Sequence, residues 1–323
     1  MKNILIIIIL SLLLYDFVNS KPPIPPPVIN IPEEKELTRE QILDYIKVSD
    51  VKKYVEDLSS KEFEGRGTGS KGNEKAAEYI CKHLDSLKIP YQKQTFSVRG
   101  TTTSNIIAYI EPKNITNKEN LIVIGAHFDH LGSRGSSYYP GADDNASGTA
   151  GLMAIATALS KFNNLKYPVS LQFYSAEELG LIGSEYYTNN PLFPVGGVDI
   201  KKHIAMINLD MIGYLRSKYN TEENTTTYRD EKNYTIFEYT NNVDLKSIVK
   251  NLSSKYPFAN NISGYRPGGS DHAPFYRKGI PVVFLHTGSH PHYHQTSDTA
   301  DKLNYDGLVL VSKLALEILL NIN

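Results

Sequence analysis

Two adjacent carboxylates, Asp143 and Asp144, open the stretch GADDNASGTAGLMAIATAL and run straight into an apolar, helix-like segment. Asp, Asn and Ser side chains accept hydrogen bonds from the unpaired N–H groups at a helix start, so either acid suits a cap. One cap needs one acid, which leaves the second for other chemistry. Further acids and imidazoles recur in the same setting. LIVIGA is followed by His127, Asp129 and His130, VSLQFYSA by Glu177 and Glu178, and IAMIN by Asp210. The late loop SHPHYHQTSD carries His290, His292 and His294. Singly, each has a structural explanation: a cap, a solvated loop, a strand-ending turn, a surface loop. Together they make a donor set of imidazole and carboxylate without thiolate, which suits zinc, with cobalt or manganese as substitutes. More than four donors on one edge point to two ions sharing a carboxylate.

Donors so far apart in the chain need a scaffold that gathers them. NLIVIGAHFDH, PVSLQFYSAEE, HIAMINLD and IPVVFLHTG are apolar runs of the buried-strand type. QTFSV and TSNIIAYIEP alternate like half-exposed strands. Helical spacing holds from about Thr38 to Leu87, and over Ala146–Lys161, Gly183–Asn189, Asp244–Lys255 and Asp306–Asn321. Strands alternating with helices predict an α/β fold: a mixed, mostly parallel central sheet with helices on both faces. In such sheets ligands bind beyond the carboxyl ends of the strands, where these donors fall. The polar, aperiodic segment Tyr214–Tyr234 reads as a surface excursion or lid.

Bulk properties narrow the setting. A formal net charge of −1 gives no field for nucleic acid or an acidic membrane surface. MKNILIIIILSLLLYDFVNS has a basic start, an apolar run too short to span a bilayer comfortably, and small residues Val18 and Ser20 at cleavage spacing. Residues 1–20 are therefore expected to be a signal peptide, residues 21–36 a Pro-rich linker or pro-segment, and residues 37–323 a single catalytic domain. The expected location is secreted, or periplasmic in a Gram-negative source, with no membrane contact after cleavage. Cys81 is the lone cysteine, so no internal disulfide contributes to stability. Six Asn-X-Ser/Thr sequons begin at Asn114, Asn145, Asn224, Asn233, Asn251 and Asn261.

HFDH, GADDNASG, SAEELGLIGS, NLDMIGY, GGSDHAPF and HQTSDT occur in an order that resembles the co-catalytic zinc exopeptidases of the bacterial leucyl aminopeptidase and glutamate carboxypeptidase II type. DLSSKEFEGRGTGSKGNEKAAEYI resembles the family's lead-in helix, so the likeness runs from about Tyr54 to Leu320. The resemblance implies the zinc exopeptidase (phosphorylase/hydrolase-like) fold and two zinc ions per chain. By it, Asp143 would bridge the ions, His127 and Asp210 would complete one site, and Glu178 with His294 the other. Glu177 would be the general base, and Asp129 would hold the His127 ring through its distal nitrogen. The Asp143–Asp144 peptide would be cis, with Asp144 shaping the loop. His290 and His292 would be rim residues, His272 would lie near the site, and Tyr265 is the nearest candidate to steady an oxyanion.

The implied activity is a di-zinc aminopeptidase acting on peptides with a free N-terminus. Three readings compete with it. A carboxypeptidase or dipeptidase on the same scaffold needs a cation for the substrate carboxylate, and Arg266 is available. A glutaminyl cyclase uses a single zinc, whereas His127, Asp143 and Asp210 are all present here. A non-enzymatic relative loses ligands or the base, and this chain keeps Glu177.

Overall fold

The computed structural model describes residues 37–113, 120–162, 164–193, 196–197, 199–215, 218–220, 225–227, 245–252, 255–256 and 268–323. The expected signal and linker segments, Tyr265, Arg266 and most of the Tyr214–Tyr234 excursion lie outside them.

Three helices lead in: α1 (Arg39–Leu43), α2 (Val48–Leu58) and α3 (Lys71–Ser86). Thr38 starts the first with a reciprocal capping box to Gln41, and Ser70 starts the third by accepting from the Asn73 N–H. A hairpin follows, β1 (Tyr91–Val98) against β2 (Thr101–Ile110). Then come β3 (Leu121–His127), α4 (Gly148–Leu159), β4 (Val169–Tyr174), α5 (Ile182–Asn189), β5 (His203–Leu209) and α6 (Leu245–Leu252). The chain closes with α7 (His272–Arg277), β6 (Val282–Leu285) and α8 (Tyr305–Ile322). α7, a six-residue helix opened by the SDH motif, was not anticipated from periodicity; six residues are too few to show a helical repeat.

The main sheet runs β1-β2-β4-β3-β5-β6. β3 pairs in parallel with β4 and β5, and β5 with β6, while β1 and β2 are antiparallel. The strand order reverses at β3, which makes its carboxyl end the topological switch point and the natural crevice.

Side chains alternate between two cores, as a pleated strand requires. Ile122, Ile124 and Ala126 of β3 join a large cluster with α4 and α8, while Leu121 and Val123 face a second with Tyr187 and Phe275. Helices therefore cover both faces, and this is why β3 and β4 read as unbroken apolar runs: every residue of each is buried. β1 is an edge strand and alternates buried with exposed over its second half. α4 is buried almost all round and lies against α8, where Gly151 allows close approach to Ser312.

Candidate metal centre

β3 delivers His127, and the chain continues through Phe128, whose N–H donates to the Tyr174 carbonyl at 2.8 Å. The tie keeps the ends of β3 and β4 level, so Glu177 and Glu178 arrive beside His127, Asp129 and His130. β5, on the other side of β3, brings Asp210. The turn before α4 brings Asp144 across the strand tips. Gly141 makes that turn possible: its φ is 55°, and a Cβ there would meet the Asp144 carbonyl oxygen at 2.2 Å.

Two groups of donors result. His127, Asp144 and Asp210 offer ligand atoms within 4.8 Å of one another, as do His130, Asp144 and Glu178. His127 Nε2 lies 3.3 Å from Asp210 Oδ1 and 3.5 Å from Asp144 Oδ1. His294 reaches the second group as well, its Nε2 3.0 Å from Asp144 Oδ2 and 3.2 Å from Glu178 Oε2. His130 Nδ1 is 2.8 Å from Glu178 Oε1. Asp144 thus stands between the groups.

This corrects the expectation for the acid pair. Asp143 faces away: its Oδ1 accepts the Gly213 N–H at 2.7 Å and its Oδ2 lies 3.1 Å from His290 Nε2. The non-proline cis peptide is Asp144–Asn145, one bond later than expected. Neither acid caps α4. Asn145 does so, its Oδ1 accepting from the Gly148 and Met211 N–H groups at 2.9 and 3.1 Å. Asn145 is fully buried, so its sequon offers no glycan acceptor. His290 is likewise not a rim residue, because its pairing with Asp143 buries its side chain completely. His292 does sit at the rim, half-buried, with Nδ1 2.9 Å from Ser297 Oγ.

The surroundings hold these groups in place. His127 Nδ1 faces the Asp129 carbonyl at 3.2 Å and the Asp129 carboxylate at 3.6 Å, so the ring is oriented mainly by the backbone of the residue expected to do it with a side chain. The Asp129 carboxylate accepts the Glu177 N–H at 3.1 Å and the Thr68 hydroxyl at 2.9 Å. Asp298 accepts the N–H groups of both Asp143 and Asp144, at 3.0 and 3.1 Å. Ala176, Met211 and His294 have φ of 64°, 56° and 57°, so three non-glycine residues in left-handed conformation adjoin or carry site groups. His272 joins neither donor group. Its ring stacks on Phe284, centroids 4.3 Å apart.

Electrostatics follow from the crowding of buried acids. Hydrogen bonds to Asp144 and Glu178 push His294 up to about 10. Burial would raise Glu178, but hydrogen bonds from His130 and His294 outweigh it and hold the acid well below its usual range. Burial would lower His127, yet Glu177 and Asp210 outweigh it and raise it well above its usual value. Glu177 is raised by burial, and Asp210 and Asp271 add to the shift. Acids that raise His127 and His294 in this way make a site that attracts cations. Neutral imidazole and carboxylate at this spacing, away from water, are also the donors zinc takes.

Beside the donors opens a cavity of about 300 Å³, lined by Asp144, Glu177, Asp210, Phe284, Tyr293 and His294 among others. It is the space where a substrate would meet both donor groups and Glu177 at once. His130 and Arg66 carried no expected role, while Asp143 and His290 were expected elsewhere, as bridge and rim. His130 and Arg66 both lie in motifs visible in the chain, His130 in HFDH and Arg66 in FEGRGTG.

Residues 105–319 match Peptidase family M28. Leupeptin-inactivating enzyme 1 of Streptomyces exfoliatus is 30% identical over 262 residues, which is 80% of this chain and 52% of the relative. The chain spans about half the length of most curated relatives it matches. Among solved structures, a zinc aminopeptidase from Bacillus subtilis superposes with a TM-score of 0.69 at 16% identity, covering 85% of this chain and 95% of that one. Porphyromonas gingivalis glutaminyl cyclase superposes with a TM-score of 0.66 at 21% identity, covering 86% and 99%. Both share the fold, so the fold alone does not choose between their chemistries.

Proposed function

Because the chain belongs to peptidase family M28, we propose that it is a zinc-dependent aminopeptidase that removes N-terminal residues from peptides. The observation carrying this reading is the convergence of two donor groups on one cleft, with Asp144 common to both and Glu177 on the cavity wall. The donor set fits two zinc ions per chain: His127, Asp144 and Asp210 would hold one, and Asp144, Glu178 and His294 the other. His294 completes the second group in preference to His130, because a liganding imidazole normally donates its other N–H and His130 Nε2 is buried with no partner among the described residues. His130 instead orients Glu178 by donating from Nδ1.

When bound, zinc supplies Lewis acidity, polarising the scissile carbonyl and acidifying water. The protein's own part is positional. The cavity seats the substrate's first residue, with its amine toward the acidic wall. Glu177 takes a proton from the attacking water and passes it to the leaving amine, a role suited to a carboxyl that burial raises above its usual range. Asp129 keeps the Glu177 backbone and the His127 ring in register. The basic start and apolar run of residues 1–20 support export of the mature chain.

The test is to strip metal with a chelator, restore zinc, and measure zinc content alongside hydrolysis of aminoacyl anilides and N-blocked dipeptides. We expect two zinc ions per chain and activity on free-amine substrates that is lost and regained with the metal. Full activity in chelated protein, or turnover of blocked substrates alone, overturns the reading.

A further inference from the structure

Among the described residues Arg66 is the largest side chain that is fully buried, and it pairs with no described carboxylate. Its hydrogen bonds all go to backbone carbonyls. Nε donates to Phe128 at 2.9 Å, Nη1 to Leu58 at 2.6 Å and Pro140 at 2.7 Å, and Nη2 to Gly141 at 2.8 Å. Leu58 ends α2, Phe128 lies between His127 and Asp129, and Pro140 and Gly141 lead into Asp144. One planar group therefore joins three segments, two of which carry the donors. Its backbone adds to the tie: the Arg66 carbonyl accepts the His130 N–H at 3.2 Å, and Gly67 bridges to His130 as a strand would.

A buried cation needs compensation, and carbonyl dipoles supply part of it. The remainder comes from Asp298, Asp144, Asp129 and Glu178, whose fields favour the charged form; burial lowers the group to about 10, so it stays protonated at neutral pH. Lysine cannot substitute in kind, since a single ammonium lacks the fixed fork that reaches three directions.

We infer that Arg66 is a positioning residue that sets the separation of His127 and Asp144 before any cation arrives, and so governs how tightly zinc is held. The inference rests on the metal reading above.

It is tested on R66K by far-UV circular dichroism, by competition for zinc with a chromophoric chelator, and by the visible absorption of the cobalt-substituted protein. A folded R66K with zinc affinity reduced about 10–100-fold and a shifted cobalt band is expected, the range seen when outer partners of ligands are removed. A folded R66K with wild-type affinity and band overturns the inference, because a merely structural arginine would leave both untouched. Should R66K not fold, the zinc-free wild type decides. The amides of His130 and Ala142 are expected to resist hydrogen exchange as well without zinc as with it, and protection that appears only with zinc overturns the inference. A wild-type protein that takes up no zinc defeats the metal reading itself, and this inference with it.

Discussion

Asp143 and Asp144 are chemically identical neighbours, yet one bond of backbone separates a brace from a shared donor. Asp143 is held by Gly213 N–H and His290, Asp144 by its place between His127 and His294. Replacing each with asparagine should therefore give opposite results. D144N should lose zinc at both positions together with activity. D143N should keep two zinc ions and lose stability of about 1–3 kcal/mol, the range for a disturbed buried hydrogen bond. Metal analysis after dialysis, paired with urea melts, separates the two; equal zinc loss in both would return the bridge to doubt. At the same scale, E177Q should retain zinc and lose about 10²–10⁴-fold in kcat, the usual share of general-base catalysis. A Glu177 variant with undiminished kcat would leave the reaction without its proposed base.

At the level of elements, the site depends on how α4 begins. Gly148 starts that helix against the end of β5: a Cβ there would meet the Leu209 carbonyl oxygen and Asn145 Oδ1, each at 2.4 Å. Leu209 precedes Asp210 and Asn145 follows Asp144, so one added methyl group presses on both donor carriers. G148A should destabilise by about 1–3 kcal/mol through overpacking, seen as a lower urea midpoint at unchanged slope, and zinc affinity should fall with it. A midpoint equal to wild type would show that the contact relaxes without strain. The same logic explains the C-terminal loop. Asp298 reaches 154 residues back in the chain to cap the Asp144 N–H, so the loop that supplies His294 also shapes the turn that supplies Asp144.

Across the whole molecule, stability should depend on pH through a group far from the cleft. His203 is buried at the start of β5, the end of the strand away from Asp210, its Nδ1–H donating to the Ile200 carbonyl and its Nε2 accepting from Tyr187 Oη, both at 2.9 Å. That arrangement satisfies the neutral ring, and burial lowers the group from 6.5 to about 4. Between these values the unfolded chain binds a proton that the fold refuses. Stability is therefore fully present above about pH 6.5 and declines as pH falls toward 4, by about 3 kcal/mol at most. H203Q can make both hydrogen bonds without titrating. In metal-free protein its urea stability should fall less steeply than wild type across that window; parallel curves would show that His203 does not set the acid limb.

The order of strands and helices, the placement of acids and imidazoles after apolar runs, and the family likeness could all be read from the chain, because side-chain periodicity and residue type are local properties. HFDH, SAEE and NLD declared their chemistry by lying where strands had to end. The choice between Asp143 and Asp144, the burial of His290, and the four carbonyls gathered by Arg66 belong to the tertiary structure alone. A loop side chain points where its backbone is steered, and here the steering comes from Asp298, Gly213 and Arg66, residues distant in sequence whose hydrogen bonds exist only once the fold has brought them together.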